Sequence, residues 1–274
     1  MRIVVKIGTS TLAHETGHMN IRRVEQLCKV FSDIKNAGHE VIIVSSGAIG
    51  MGVGKLGLRE RPKDIPAKQA AAAVGQCELM YTYDKLFSEY NHTVAQLLIT
   101  GDDVQNEERH QNFTNTLNRL LNLGVIPIIN ENDTVATHEI VIGDNDTLSA
   151  IVTGLTGADL LILLSDIDGL YTDDPRTNPN AKFIEEVEKV TAEHMNMGKK
   201  STGSSVGTGG MNTKMVAAHI ATNMGADMII ANSDDIRIIH RIMDGRKIGT
   251  LFKAQKDSDF NMVEYVKEPA EPVQ

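Results

Sequence analysis

Lys6 closes a short apolar run and is followed by Ile7-Gly8-Thr9-Ser10, which puts an ammonium, a glycine and two hydroxyls where a strand would end. In open α/β sheets ligands bind beyond the carboxyl ends of strands, and a small residue there lets backbone N–H groups approach an anion. Read locally, Lys6 is placed to meet a phosphate. Ser45-Ser46-Gly47-Ala48-Ile49-Gly50-Met51-Gly52 follows a second apolar run in the same way, as an anion-lined strand end or a tight turn. The clearest phosphate signal is Gly207-Thr208-Gly209-Gly210-Met211-Asn212-Thr213-Lys214. Its glycines let a loop fold over a polyphosphate, and it opens a helix whose free N–H groups and Lys214 add positive charge.

Acidic and amide groups gather in Asn130-Glu131-Asn132-Asp133 and in Gly143-Asp144-Asn145-Asp146. Carboxylates and carbonyls of this kind suit an α-ammonium group or a hard cation such as Mg²⁺. For Asp144 and Asp146, capping of the helix that follows is an equal alternative. Ser165-Asp166-Ile167-Asp168-Gly169-Leu170-Tyr171 reads as a wall for a nucleoside or as a turn with Gly169 at positive φ.

Gly52-Val53-Gly54-Lys55-Leu56-Gly57 fits a dinucleotide fingerprint but lies several residues past its strand. Gly203-Ser204-Ser205-Val206-Gly207 has no strand before it, as a nucleophile elbow demands. His14 and His18 sit in a polar, broken segment unsuited to a metal pair. The phosphate-loop sequence GxxxxGK[ST] does not occur.

The elements that must position these groups are legible as apolar runs separated by helical patterns. Ile3–Ile7, Val41–Val44, Val94–Ile99, Val125–Ile129, Leu160–Leu164 and Met228–Ala231 are mostly non-alternating, as in strands covered on both faces of a parallel sheet. Helices are expected over Ile21–Ala37, Ala67–Glu89, His110–Leu123, Thr147–Leu155 and Met211–Met224, four of them near a glycine stop or a capping side chain. Repeated strand and helix imply right-handed crossovers and a three-layer αβα sandwich around a mainly parallel sheet. Asp133–Ile142 reads as a hairpin or lid, and 172–181 and 199–210 as long polar loops. After Ala254 the chain turns polar and reads as a loosely ordered tail.

Composition limits the function classes. With 274 residues, folding should bury roughly three quarters of the unfolded surface. A net charge of −9 argues against a broad nucleic-acid surface. No apolar run approaches the roughly 20 residues that span a bilayer, and the first residues lack a signal peptide's apolar region. Cys28 and Cys77 lack metal or redox spacing and read as small core residues in a reducing, cytoplasmic compartment.

Taken in order, Val5-Lys6-Ile7-Gly8-Thr9-Ser10, Ser46-Gly47-Ala48-Ile49, Ile129 to Asp133, Gly143 to Asp146, Ser165 to Tyr171 with Asp174-Pro175-Arg176, and Gly207 to Lys214 resemble the signature series of the amino-acid kinase family. The agreement covers about residues 1–255, leaving 256–274 as a short tail. Within the family the motifs are most similar to members that phosphorylate the γ-carboxylate of L-glutamate and open proline synthesis, here in a short form without the C-terminal PUA domain.

The resemblance implies ATP and Mg²⁺ as cofactors and L-glutamate as substrate. It implies catalytic roles for Lys6 and Lys214 at the transferring phosphoryl, with Asp146 holding the two lysines. Ser46, Asp133 and Asn145 would bind glutamate. Lys6, Ser165, Asp166, Thr208, Gly209, Gly210, Met211, Asn212, Thr213 and Lys214 would bind ATP, and the metal ligands are left unassigned. It further implies L-proline as inhibitor, a homo-oligomer, and the next enzyme of the proline pathway as a partner. A carboxylate is already nucleophilic at neutral pH, so such catalysis reduces to bringing two anions together and neutralising charge.

Overall fold

The structure, a computed structural model, describes residues 1–14, 16–136, 144–200 and 210–267. In chain order the first elements are β1 (Arg2–Ile7), α1 (Thr9–Leu12), α2 (Ile21–Asn36), β2 (Glu40–Ser45), α3 (Ala48–Lys55), α4 (Ile65–Ser88), β3 (Val94–Ile99), α5 (Gly101–Gln105), α6 (Glu107–Asn122) and β4 (Ile126–Glu131). There follow α7 (Asn145–Thr156), β5 (Leu160–Ser165), β6 (Leu170–Tyr171), β7 (Phe183–Ile184), β8 (Glu186–Val187), α8 (Ala192–Lys200), α9 (Met211–Asn223), β9 (Asp227–Asn232), α10 (Ile238–Met243), β10 (Thr250–Phe252) and α11 (Met262–Lys267). The chain divides into two compact units, one of residues 7–141 and one of residues 1–6 with 142–274.

In the unit of residues 7–141, β4 pairs in parallel with β2 on one side and β3 on the other. β2 and β4 are buried almost throughout, whereas β3, an edge strand, is only partly covered. α3 and α4 pack without any gap for side chains at two points. A Cβ on Gly52 would lie 1.8 Å from the carbonyl oxygen of Ala71, and one on Gly75 1.8 Å from that of Ala48. This explains the misleading dinucleotide-like run: Gly52 serves a helix crossing, and a Cβ on Gly54 would lie 2.6 Å from the backbone oxygen of Gly17.

In the other unit the order is β1, β5, β9, β10, β8, with β5 parallel to β9 and β10 antiparallel to β9. All of β5 is buried, as its uninterrupted Leu-Leu-Ile-Leu-Leu run requires. The mainly parallel sheet is the one expected from the sequence, with the six expected strands and five expected helices shifted by a few residues at their ends, whereas α1, α3, α5, α8, α10, α11, β6, β7, β8 and β10 were not read from it.

Three local expectations are corrected. Gly169 has no positive φ; its lack of a side chain instead admits Thr250, whose hydroxyl a Cβ would approach to 2.4 Å and which accepts a hydrogen bond from Leu170 N–H. Cys28 is buried but Cys77 is exposed, because the buried face of α4 runs through Ala71, Ala72, Gly75, Gln76, Leu79, Tyr83 and Phe87. The polar segment after Ala254 is not loose where it is described. Gln255 and Asp257 N–H donate to the carbonyls of Thr222 and Asn223, Met262 is buried, Phe260 meets the His219 ring of α9 edge to face, and Tyr265 packs on the same ring at a tilt. Among the described residues no helix is long and apolar enough to cross a membrane.

Candidate active site

Asp146 occupies the second position of α7 and is 1% exposed. Lys6, near the end of β1, places its Nζ 2.8 Å from Asp146 Oδ1, and Lys214, in the first turn of α9, places its Nζ 3.0 Å from Oδ2. Both lysine side chains are nearly as buried, at 11% and 8% exposure. One carboxylate thus bridges two ammonium groups, and the trio carries one net positive charge in a largely dry setting. Burial alone would push the Asp146 carboxyl up, but the two lysines outweigh it and hold the group well below the ordinary carboxylate range.

The two readings of the Asp144 and Asp146 pair separate by position. Asp144 is the N-cap of α7: its Oδ1 accepts from Thr147 N–H at 2.8 Å and its Oδ2 from the Thr147 hydroxyl at 2.8 Å. Burial and the neighbouring Asp146 charge raise its carboxyl above the ordinary range. Asp146, two residues on, faces inward and meets the lysines instead. Asn145 stands between them as the first residue of α7.

Gly210, Met211, Asn212 and Thr213 lead into Lys214 as the N-cap and first turn of α9, and no side chain caps the free N–H groups there. Thr208 and Gly209 lie outside the described residues. Ser165 ends β5 and donates to Asp166 Oδ1 at 3.2 Å. Beside them Asn232, at the end of β9 and in register with Ser165, donates to Asp168 Oδ1 at 2.8 Å. In the unit of residues 7–141, Ser46 follows β2 and its N–H donates to Ile7 carbonyl at 3.0 Å. Asp133 lies in a turn after β4, its carboxyl raised by burial, with Arg61 pulling the other way. Only 133–136 of the expected lid is described; 137–142 lies outside.

A family model described as the amino acid kinase family matches residues 1–232. The chain belongs to the amino acid kinase family. Similar curated relatives include the glutamate 5-kinase of Clostridium perfringens, 53% identical over 259 residues that cover 93% of this chain and 96% of the relative. Another is the glutamate 5-kinase of Carboxydothermus hydrogenoformans, 54% identical over 256 residues that cover 93% of this chain and 68% of the relative. Among solved structures, UMP kinase from Bacillus anthracis superposes with a TM-score of 0.63 at 17% identity, covering 93% of this chain and 96% of that one. An isopentenyl phosphate kinase from T. acidophilum gives 0.61 at 18% identity, covering 92% and 100%. At that identity the two structures establish the amino acid kinase fold and nothing finer.

Two contacts near Ser165 and Asp146 were not read from the residues. Asn232 carries only the signal of a polar residue ending an apolar strand, a feature shared by many surface turns. Thr213 was read as part of a nucleotide loop, yet its hydroxyl lies 2.8 Å from Asp146 Oδ2. The signal for that contact was its position beside Lys214, which puts both in one helical turn.

Proposed function

We propose that this amino acid kinase transfers the γ-phosphoryl of Mg·ATP to the γ-carboxylate of L-glutamate, giving L-glutamyl 5-phosphate. The reading rests on the two buried ammonium groups held by Asp146, together with the glutamate 5-kinases at about half identity over nearly the whole chain. Two anions must approach each other in this reaction, and fixed positive charge that needs no reorganisation is what lowers its barrier. The uncapped first turn of α9 beside Lys214 suits a polyphosphate. Mg²⁺, when bound, supplies further neutralisation of the phosphates. Among the described residues no group of three or more His, Cys, Asp or Glu is placed to hold a metal ion.

In this reading Lys6, Ser165, Asp166 and the segment from Thr208 to Lys214 bind ATP, while Ser46, Asp133 and Asn145 bind glutamate. Asp133→Ala and Asn145→Ala are expected to raise the KM for glutamate about tenfold or more, with that for ATP nearly intact, because each variant removes contacts made to the amino acid alone. A rise confined to the ATP KM would reverse the two assignments.

The whole reading is tested by ADP release from ATP with and without L-glutamate, using aspartate, acetylglutamate, carbamate and UMP as rival acceptors. Glutamate alone should accelerate release. L-proline, which keeps the cationic nitrogen and α-carboxylate but has no γ-carboxylate to react, should raise the apparent KM for glutamate in the same assay. Insensitivity to millimolar proline would remove the inhibitor and leave the kinase standing. The reading extends to a cytoplasmic homo-oligomer whose partner is the next enzyme of the pathway, since an acyl phosphate is a labile mixed anhydride that something must consume.

A further inference from the structure

Asp146 has three partners, and they differ in stiffness. Two are ammonium groups at the ends of four-carbon stems, Lys6 on Oδ1 and Lys214 on Oδ2. The third is the Thr213 hydroxyl, 2.8 Å from Oδ2, on a β-branched side chain with few χ1 choices. The same hydroxyl lies 2.8 Å from the carbonyl oxygen of Gly210, the N-cap of α9. A hydroxyl has one proton to give, and the hydrogen bond to an ionised acceptor is the stronger. The proton therefore goes to Asp146.

We infer that Thr213 is a positioning residue: its hydroxyl fixes the rotation of the Asp146 carboxylate and so sets where the Lys6 and Lys214 ammonium groups sit. Consecutive residues of one helical turn grip a single oxygen, so α9 is keyed to α7 by a short stiff side chain as well as a long flexible one. Lys6 then meets a carboxylate whose other oxygen is already held. Thr213 thus acts through Asp146 and not as a side-chain ligand of the nucleotide. This deepens the kinase reading and rests on it for its kinetic consequence.

The experiment compares Thr213→Val, which keeps the shape and loses the hydroxyl, with Thr213→Ala, which also loses it but favours the helix, and with Thr213→Ser, which keeps it. Val and Ala should lower kcat about tenfold to a hundredfold, the scale of one hydrogen bond to a charged group, with the KM for ATP and for glutamate changed by less than about threefold. Serine should recover most of the loss. If Thr213→Val does not fold, Thr213→Ala decides by the same numbers. A raised ATP KM with unchanged kcat would make Thr213 a nucleotide ligand and overturn the inference. So would wild-type kcat in Val and Ala, or equal loss in Val, Ala and Ser.

A readout without substrate separates this inference from the activity itself. In NMR spectra recorded at neutral pH, the Asp146 carboxyl carbon and the Lys6 and Lys214 Nζ signals should shift in Val and Ala and return in Ser. If the wild-type protein shows no glutamate-dependent ADP release but these signals move as expected, the kinase reading falls and the positioning role stands. Unmoved signals overturn the role whatever the activity.

Discussion

Lys6→Ala and Lys214→Ala are each expected to lower kcat about a hundredfold or more, with smaller changes in either KM. Each variant removes one preorganised positive group from a largely dry site, and losses of that kind amount to about 3 kcal/mol of transition-state stabilisation. The two lysines are 11% and 8% exposed, so water does not stand ready to replace them. Removal of either also leaves the trio neutral, because Asp146 then cancels the ammonium that remains. Arginine should not rescue, since a planar guanidinium would take both carboxylate oxygens where an ammonium takes one. Steady-state kinetics with ATP and glutamate varied in turn gives the separation, and wild-type kcat in both alanine variants would remove these lysines from the chemistry.

Asp146→Asn should cost both stability and rate. The substitution keeps the side chain's shape but strands two half-paired ammonium groups close together, and breaking a buried pair in this way costs about 3–5 kcal/mol. The pH dependence has a definite sign. The folded carboxyl titrates below its unfolded value because Lys6 and Lys214 outweigh its burial, so its contribution is present above the ordinary aspartate value of about 4 and is lost as pH falls through the depressed folded value. Urea unfolding of wild type and variant should show a constant gap near neutrality that narrows only below about pH 4. A gap that widens on acidification, or none at pH 7, would mean that the carboxylate does not hold the lysines. The rate should fall at least as far as in the single lysine variants, since both ammonium groups lose their anchor.

Periodicity and residue type determined the architecture of this protein. An unbroken run such as Leu160–Ser165 has no polar face to offer water, so it has to lie in a covered parallel sheet. Glycine after α9 and the capping Asn20 before α2 mark their helices through local backbone chemistry alone. The lysines and the glycine-rich runs were legible for the same reason: phosphate binding is done by residue types that the sequence displays directly.

Pairing was left to the tertiary structure. Locally, Asp144 and Asp146 are equivalent acidic residues at one helix start. The pitch of α7 turns the first back onto Thr147 and the second toward groups 140 residues upstream and 68 downstream. Gly52 was ambiguous because a glycine needed for close helix packing looks the same in sequence as one needed for a ligand; the approach of Ala71 decides. The segment after Ala254 looked too polar to pack, but over residues 255–267 Phe260 and Tyr265 seat it on His219 of α9 and Met262 is buried beside Gly154 of α7. Composition averages over such a segment, whereas packing depends on which side chains meet, and that is settled only when distant parts of the chain are brought together.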